Sequence, residues 1–321
     1  MKIVHWIYLN GSGLANVASS ISAAENLLGL TSIIADTDNP ETWKAAKDAD
    51  VFVLHTCLPN SVSVKGKIQI GVLHGTPEHI FGGSVTEGKY RGYGAGDGLA
   101  LTFEWLQRMD AIVTFWPRHA VIWQQLAGKH AKIFTLPMGL DKGFWSPQPS
   151  QGKFAGEPSL FTAENCHSFK WSLDLMVAWP IVCEKFPNAK LHVAYLPQDV
   201  HRWFFPFAMA NGTAYNAYLS PLIFDPSTLR NAFCSVDYYC SPVRYGDFNR
   251  ICLEAKACGC KVISYEGNPY ADYWISEGSQ LKIAEQLKRI FRGTIKARSK
   301  VDPVPIIDST VEALRKIYES V

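Results

Sequence analysis

Residues 241–274 read SPVRYGDFNRICLEAKACGCKVISYEGNPYADYW, and they carry the clearest indication of the fold. A loop at 245–250 precedes a short helical pattern at 251–257, which Gly259 ends, and the β-branched run KVISY follows at 261–265. A strand–loop–helix–strand order places backbone N–H groups at a helix N-terminus, where their partial positive charge suits a phosphate. Glu254 lies one turn into that helix, within reach of ribose hydroxyls. The stretch therefore predicts a nucleotide site in a parallel α/β sheet.

The first half of the chain shows the same alternation of strand and helix. An apolar run at 2–9 precedes a turn with Gly11 and Gly13, and helical spacing follows at 14–28. Such a turn suits close approach of a phosphate, although two glycines in G-x-G also fit an ordinary tight turn. A further predicted strand, 67–75, reaches His74 at its carboxyl end, where open α/β sheets bind ligands; a turn histidine is the alternative.

The length of 321 residues suits two domains of about 150 residues each. Proline, glycine and serine crowd residues 137–158, which we interpret as a linker with the domain boundary near residue 150. We therefore predict an α/β protein with one domain at 1–150 and a second at 151–305. The terminal helix, 306–321, is expected to pack back toward the first domain. Residues 201–219 are aromatic and show no regular pattern.

Composition excludes several kinds of protein. The formal net charge of +2 gives no strong field that points to nucleic acid or a membrane. Residues 288–300 carry six basic and no acidic side chains, which fits a solvated helix face or, alternatively, a patch for a membrane or nucleic-acid acceptor. The eight cysteines lack metal-ligand spacing and are expected to be reduced. Without a signal-peptide pattern or an apolar run of about 18 residues, we expect a cytoplasmic protein with no transmembrane segment.

Four motifs occur in the order and spacing of a known family. The most specific is residues 253–263 (LEAKACGCKVI), similar to LEAMACGxPVI. The others are 110–113 with 136–141 (DAIV, LPMGLD), similar to ADxVI…IPNGVD; 168–174 with 186–189 (SFKWSLD, FPNA), similar to KGxxxL…FPxAxL; and 72–75 (VLHG), where the family keeps an active-site histidine. On these motifs the chain resembles, over nearly its whole length, the retaining GT-B glycosyltransferases of the family-four, or group 1, type.

The resemblance implies two Rossmann-like domains that face each other across a cleft, with the acceptor on the N-terminal side and the donor on the C-terminal side. It implies transfer of a sugar from a nucleotide-diphosphate sugar, of UDP or GDP type, to an acceptor hydroxyl with retention of anomeric configuration. Retention in this family is usually attributed to a front-face substitution, so no protein nucleophile is required. The resemblance implies no cofactor and no metal ion.

Site roles follow from the same resemblance. Lys170 would neutralise the donor diphosphate, Glu254 would hold the ribose, and His74 would line the sugar. Arg250 could add a bidentate phosphate contact or could be structural. The predicted catalytic residues are His74, Lys170 and Asp247, and the predicted donor-binding residues are Gly11, Gly13, Lys170, Gly246, Phe248, Asn249, Arg250 and Glu254.

Two positions depart from the family pattern. The family normally has a second glutamate eight positions before the helix glutamate, in E-G-F-G, but here Gly246 occupies that place and Asp247 follows it. Asp247 could substitute with a shifted reach, or the donor sugar could be held differently. The arginine that usually precedes the lysine is absent, with Asn165 or His167 in its neighbourhood.

The acceptor is less constrained by the sequence. Residues 82–98 form a glycine-rich loop, and its predicted acceptor residues are Lys89, Tyr90, Arg91 and Tyr93. Trp105, Trp116 and Trp123 are aromatic candidates, with core packing favoured for Trp123. A saccharide or glycolipid is the default acceptor, and a hydroxymethylated DNA base is the alternative. The competing functions are a GT-B nucleotide-sugar epimerase or phosphorylase and a non-catalytic nucleotide-sugar-binding protein.

Overall fold

The computed structural model describes residues 1–7, 13–55, 63–75, 105–127, 129–149, 152–163, 172–194, 217–219, 225–242, 250–276 and 279–321. They form two compact units. Unit 1 comprises Met1–Gly139 and Pro305–Val321, and unit 2 comprises Leu140–Val304. Within these ranges each unit contains one sheet of six parallel strands. None of the helices in the described ranges is long and apolar enough to cross a membrane.

Unit 1 alternates strands and helices along the chain and ends with a helix from the C-terminus. Its elements are β1 (Lys2–Ile7), α1 (Gly13–Leu27), β2 (Thr31–Asp36), α2 (Pro40–Trp43), a 3-10 turn (Lys44–Ala46), β3 (Val51–Leu54), β4 (Ile68–Leu73), β5 (Ala111–Thr114), α3 (Pro117–Ala127), β6 (Lys132–Thr135) and α8 (Ile307–Ser320). The strand order is β2-β1-β3-β4-β5-β6, so the winding reverses between β1 and β3. In open α/β sheets a ligand binds at such a reversal, beyond the carboxyl ends of the strands.

The sheet of unit 1 is buried on both faces, as expected of a parallel sheet covered by helices. One face carries Trp6, Phe52 and Leu54, which pack in a single core cluster with Trp105 and Trp123. The opposite face packs Ile7 against Ala15 and Ala18 of α1. Because both faces are covered, the strands read as nearly continuous apolar runs, and a polar side chain inside them stands out.

Helix α8 packs on α1 within unit 1. Thr310 anchors its first turn, since its hydroxyl donates to the carbonyl of Pro137 at 2.7 Å and accepts from the amide of Gly139 at 2.8 Å. At the other end of the helix, the Tyr318 hydroxyl donates to a carboxylate oxygen of Glu25. The C-terminal segment is therefore an integral layer of unit 1.

Unit 2 repeats the alternation of strand and helix. Its elements are β7 (Ser159–Thr162), α4 (Ser172–Cys183), β8 (Lys190–Val193), β9 (Ala217–Leu219), α5 (Pro226–Ser235), β10 (Tyr238–Ser241), α6 (Arg250–Ala257), β11 (Lys261–Tyr265), β12 (Tyr273–Ile275) and α7 (Gln280–Phe291). The sheet order β9-β8-β7-β10-β11-β12 is that of a Rossmann sheet, with the winding reversed between β7 and β10. Gly259 ends α6 with φ +83°, a left-handed conformation that favours glycine.

Two short strands were not expected from the sequence. Residues 201–219 were interpreted as irregular, yet Ala217–Leu219 form β9 beside β8, with Ala217 opposite Leu191. The interpretation was wrong at these residues because three residues are too few to show alternation, and pairing with β8 creates the strand. Tyr273–Ile275 form β12 beside β11 in the same way.

Most of the segment interpreted as a linker, from Leu140 onward, belongs to unit 2. The units divide between Gly139 and Leu140, whereas the sequence places the boundary near residue 150. Trp145 is buried, and its ring centroid lies 6.4 Å from that of Phe233 on α5. The guanidinium of Arg230, also on α5, lies 4.5 Å from the ring centroid of Phe144. These aromatic contacts pack Phe144 and Trp145 of the segment against α5.

Candidate functional site

The reversal point of unit 2 lies between β7 and β10, where Leu160 pairs with Tyr238. The chain continues from the carboxyl ends of these two strands into 164–171 and 243–249, the segments that hold four of the eight predicted donor-binding residues. Several predicted residues lie outside the described ranges: Gly11, Lys89, Tyr90, Arg91, Tyr93, Lys170, Gly246, Asp247, Phe248 and Asn249. The described members of the predicted site are Gly13, His74, Arg250 and Glu254.

Arg250 and Glu254 form an ion pair on the first turn of α6. The Arg250 Nε donates to Glu254 Oε1 at 2.9 Å, an i to i+4 pair, and the side chains are only 20% and 11% exposed. Glu254 is held inward because its neighbours Cys252, Leu253 and Ala255 are buried in the core of unit 2. The sequence left open a structural role for Arg250, and the structure shows that its guanidinium orients this glutamate.

Burial sets the electrostatics of Glu254. Removal from water raises the pKa of its carboxyl group, and the attraction and hydrogen bond of Arg250 only partly offset that rise. A carboxylate in this position has a strong tendency to recruit further hydrogen-bond donors, and ribose hydroxyls are such donors. The pair also presents a guanidinium at the N-terminus of α6, where an anion is favoured.

In unit 1, His74 belongs to a row of three histidines that we call the histidine row: the buried His5 and His55 and the partly buried His74. Nδ1 of His5 lies 2.9 Å from Nε2 of His55, and Nδ1 of His55 lies 2.7 Å from Nε2 of His74. Their ring centroids are 5.2 Å and 5.0 Å apart. Each imidazole thus uses a ring nitrogen to bind the next one, from the middle of β1 to the residue that follows β4.

Glu25 of α1 closes the inner end of the histidine row. Its Oε2 lies 2.6 Å from Nε2 of His5 and accepts from the Ser32 hydroxyl at 2.6 Å, and its Oε1 accepts from Tyr318 of α8. The exposed fraction is 0% for His5 and Glu25 and 1% for His55. A carboxylate this deeply buried needs such bonds, because an unpaired charge away from water is very unfavourable.

The pKa values in the row follow from burial and hydrogen bonding. Burial lowers the pKa of His74 to about 3. Burial, helped by the neighbouring His74 and His5, lowers the pKa of His55 well below its usual range. Burial alone would raise the pKa of Glu25, but His5, Ser32 and Tyr318 outweigh it and lower that pKa. The row therefore holds an ionised carboxylate at one end and neutral imidazoles at His55 and His74.

Sequence reasoning found His74 but missed His5, Glu25 and His55. A signal was present, because His5 interrupts an apolar strand and His55 directly follows another. In the sheet order, β1, β3 and β4 are successive neighbours. Side chains alternate between faces along a strand, so the three histidines lie on one face once that order is known.

Other predicted features have simpler roles in the described residues. Gly13 is the first residue of α1, and its role at a phosphate stays a prediction. Trp105 and Trp123 are buried in the core cluster of unit 1, which places them away from a sugar-stacking surface. The six cysteines within the described ranges carry free thiols.

The chain contains two D-x-D triplets, at 36–38 and 48–50, a pattern often associated with metal-bound donors. Asp36 accepts from the amide of Asp38 at 3.1 Å, and Asp50 accepts from the amide of Lys2 at 2.7 Å. These bonds fix a turn and a strand start. Among the residues that the structure describes, no group of three or more His, Cys, Asp or Glu side chains is arranged to hold a metal ion.

No protein-family model matches the chain, and no curated protein matches it in sequence. Solved structures do match. A sucrose-phosphate synthase from Thermosynechococcus elongatus aligns over 100% of this chain and 99% of its own, with a TM-score of 0.73 and 12% identity. Anabaena HepE, solved in complex with UDP-glucose, aligns over 99% of this chain and 100% of its own, with a TM-score of 0.65 and 12% identity. The chain has the GT-B fold.

A glycosyltransferase from Rickettsia africae also matches in structure, with a TM-score of 0.65 and 12% identity over 99% of this chain and 98% of its own. At such low identity the likeness concerns the fold alone, and the chemistry must be argued from the residues. In this GT-B chain the described site residues fall in both units, with Gly13 and His74 in unit 1 and Arg250 and Glu254 in unit 2.

Proposed function

We propose that this protein is a glycosyltransferase that moves a sugar from a nucleotide-diphosphate sugar to an acceptor hydroxyl. The observation that carries the proposal is the largely buried Arg250–Glu254 pair at the N-terminal end of α6, the helix that follows β10 and the reversal point of unit 2 along the chain. The guanidinium suits a diphosphate, and the carboxylate suits ribose hydroxyls. GT-B relatives support the assignment, since HepE is solved with UDP and with UDP-glucose.

For the donor, we propose a UDP- or GDP-linked sugar, with UDP favoured by the HepE complexes. Lys170 neutralises the diphosphate as it departs, and backbone N–H groups at Gly11–Gly13 and 246–249 add donors to the same phosphates. Phe248 and Asn249 complete the donor side. Asp247 takes the place of the family's missing glutamate at position 246.

The proposed reaction breaks the bond between the anomeric carbon and the β-phosphate oxygen and forms a bond between that carbon and the acceptor oxygen. The acceptor proton passes to the departing diphosphate on the same face of the sugar, which gives retention without a protein nucleophile. His74 lines the sugar near the anomeric carbon. The proposal needs no cofactor and no metal ion, since Lys170, Arg250 and backbone amides supply the positive charge.

For the acceptor, we propose a saccharide or a glycolipid, held by Lys89, Tyr90, Arg91 and Tyr93 of the glycine-rich loop. A hydroxymethylated DNA base is the alternative, because basic and aromatic loop residues also suit an extruded base. The basic segment 288–300 would serve contact with a membrane surface or with DNA. A cytoplasmic location stays a prediction.

Donor binding is the first test. Isothermal titration with UDP-glucose and GDP-mannose is expected to show binding of one of them, weakened roughly tenfold or more by Glu254→Gln through loss of charge-assisted hydrogen bonds. Glu184→Gln, which changes an exposed glutamate of unit 2, is the matched control and leaves the affinity unchanged. If neither these nor other nucleotide sugars bind, the proposed function is wrong.

Transfer is the second test. Incubation of the donor with glycan, glycolipid and hydroxymethylated DNA acceptors, read by mass spectrometry, is expected to give a product whose mass is increased by one sugar. Lys170→Ala should lower kcat by roughly 100-fold, the scale of removing one charge-stabilising group. Donor binding without transfer or donor hydrolysis would identify a binding protein, and isomerisation of the donor sugar would identify an epimerase.

A further inference from the structure

Unit 1 contains a cavity of about 430 Å³, which we call the tryptophan pocket. Its walls include Trp6 of β1, Phe52 of β3 and Trp43 of α2, and Lys44 and Lys47 also line it. No residue predicted to bind the sugar donor or the acceptor is among its lining residues. We propose that this pocket binds a phosphate monoester that carries an apolar group, with the rings around the apolar group and the two lysines on the phosphate.

The aromatic walls of the tryptophan pocket are already in place. The Trp43 indole donates from Nε1 to the carbonyl of Asp36 at 2.7 Å, which fixes that ring at the end of β2. The ring centroid of Trp6 lies 6.2 Å from that of Trp43 and 5.8 Å from that of Phe52. Protein interiors are close-packed, and a cavity of this volume lies in the size range of small-molecule sites. The pocket therefore offers a preformed apolar surface for a ring or a short chain.

The charge of the pocket lining is positive. Lys44 begins the 3-10 turn and Lys47 follows its last residue, and side chains three apart on such a turn lie on the same side. Lys44 pairs with Glu41 at 2.6 Å, but the two side chains are 69% and 76% exposed, so the pair is weak and a stronger anion can replace the carboxylate. A phosphate monoester carries between one and two negative charges near neutral pH and can accept from both ammonium groups.

Trp6 adds a hydrogen-bond donor that the described residues leave unsatisfied. This side chain is fully buried, and its Nε1 has no hydrogen-bond partner among the residues that the structure describes. An indole N–H only donates, and buried donors of this kind are nearly always paired. Together with the two ammonium groups, the indole requires acceptor oxygens and negative charge from a ligand. A phosphate ester supplies both, whereas a cation supplies neither.

Phosphate on an apolar group has two sources, an aromatic ester and an alkyl ester of lipid type. Isothermal titration of the full chain with phenyl phosphate and with hexyl phosphate separates them. We expect at least one ester to bind with a Kd on the order of 1 mM or tighter, and the tighter one identifies the apolar group. Inorganic phosphate and benzyl alcohol should each bind at least about tenfold more weakly. If neither ester binds, or if inorganic phosphate or the alcohol binds as tightly, the proposal is wrong.

A double variant locates the bound phosphate. Lys44→Gln combined with Lys47→Gln keeps most of each side chain but removes both charges, and it should weaken ester binding by about tenfold or more. Lys129→Gln, which changes an exposed lysine of unit 1 that does not line the pocket, is the matched control and should retain the wild-type affinity. An ester that binds the double variant as tightly as the wild type, as it would at a phosphate site elsewhere, overturns the proposal.

Proton–nitrogen-15 spectra of the indole groups give a second readout. The signals of Trp6 and Trp43 are assigned from the variants Trp6→Phe and Trp43→Phe. We expect both signals to move when the ester is added, because the Trp6 N–H gains an acceptor and Trp43 gains a new neighbour. Movement confined to other tryptophans would place the ligand elsewhere and overturn the proposal.

This inference does not rest on the proposed function, since none of its measurements needs a nucleotide sugar. If the esters bind at the tryptophan pocket and no nucleotide sugar binds, the proposed function fails and the pocket stands. If a nucleotide sugar binds and neither ester does, the pocket fails and the proposed function stands.

Discussion

At the scale of single residues, the surroundings of Glu254 fix the orientation of its side chain and raise the pKa of its carboxyl group. Its place one turn into a helix after a loop already suggested a ribose contact. The structure adds that it is buried and held by Arg250, and that burial raises its pKa. The carboxylate is therefore both orientated and easier to protonate than an exposed glutamate. The affinity for a nucleotide should therefore depend on the protonation state of Glu254.

We expect the affinity for a nucleotide sugar to fall on mild acidification. The charged form of Glu254 accepts from ribose, and because its pKa is raised above the ordinary value of 4.5, protonation begins at a higher pH than for an exposed glutamate. The diphosphate of a nucleotide sugar is esterified at both ends and keeps its charge over this range. Isothermal titration between about pH 8 and pH 5 measures the effect, and the loss reaches roughly tenfold when the carboxyl group is neutral.

The control for this prediction is Glu254→Gln, which should bind more weakly at every pH and lose most of the pH dependence. Glu184→Gln should retain the wild-type profile, since this exposed glutamate lies outside the site. A wild-type affinity that stays constant down to about pH 5 would show that the Glu254 carboxylate does not contact the ligand.

At the scale of elements, α8 shows how a segment far along the chain becomes part of unit 1. Gly139 lies so close to the start of this helix that a Cβ atom there would meet the Ile306 carbonyl oxygen at 2.3 Å and the Thr310 hydroxyl at 2.6 Å. The two hydrogen bonds of Thr310 depend on this close approach. A glycine is needed here for lack of space rather than for an unusual backbone angle.

Gly139→Ala should loosen α8. The added methyl group collides with backbone, which cannot rotate away, and overpacking of this kind costs about 1–3 kcal/mol. Hydrogen–deuterium exchange is expected to rise in Ile307–Ser320 and in the facing helix α1, with a lower melting temperature. Ser309→Ala, at an exposed position of the same first turn, is the control and should leave exchange unchanged. Unchanged exchange in α8 of the Gly139→Ala variant would contradict the close approach.

At the scale of the whole molecule, the histidine row makes stability depend on pH. His55 and His74 have pKa values below the ordinary 6.5, so below that pH the unfolded chain binds protons that the folded protein does not. The contribution of the neutral His55 and His74 to the free energy of unfolding is present at higher pH and is lost progressively as the pH falls below about 6.5. The lowered pKa of Glu25 acts in the same direction, since its contribution is lost as the pH falls through its folded value.

We therefore expect the free energy of unfolding of unit 1 to fall by about 1.4 kcal/mol per pH unit for each of these two histidines, from about pH 6.5 downward. Urea unfolding read by proteolysis and mass spectrometry follows the two units separately. The His130→Gln variant, which replaces an exposed histidine of unit 1, should retain the slope. A free energy that stays level between about pH 6.5 and 5 would mean that these two histidines take up protons in the folded state.

The alternation of strands and helices, the two-part α/β organisation and the position of Glu254 on a helix could all be predicted from the sequence. These are local matters: apolar runs predict β1 and β11, and Gly259 ends α6 because a left-handed residue is needed there. The resemblance to GT-B glycosyltransferases rested on the same local motifs, and the fold comparison confirmed the architecture. Roles of residues in the site stay predictions.

Contacts between residues that are distant in the chain could not be predicted from the sequence and come from the tertiary structure. The strand β9 exists because it pairs with β8, and Trp145 is fixed by Phe233 of α5. The histidine row joins β1, β3 and β4 to α1 and α8. These contacts depend on strand order and register, which bring together residues that are separated by tens to hundreds of positions. Periodicity along the chain shows which face a side chain occupies but not which neighbour stands beside it.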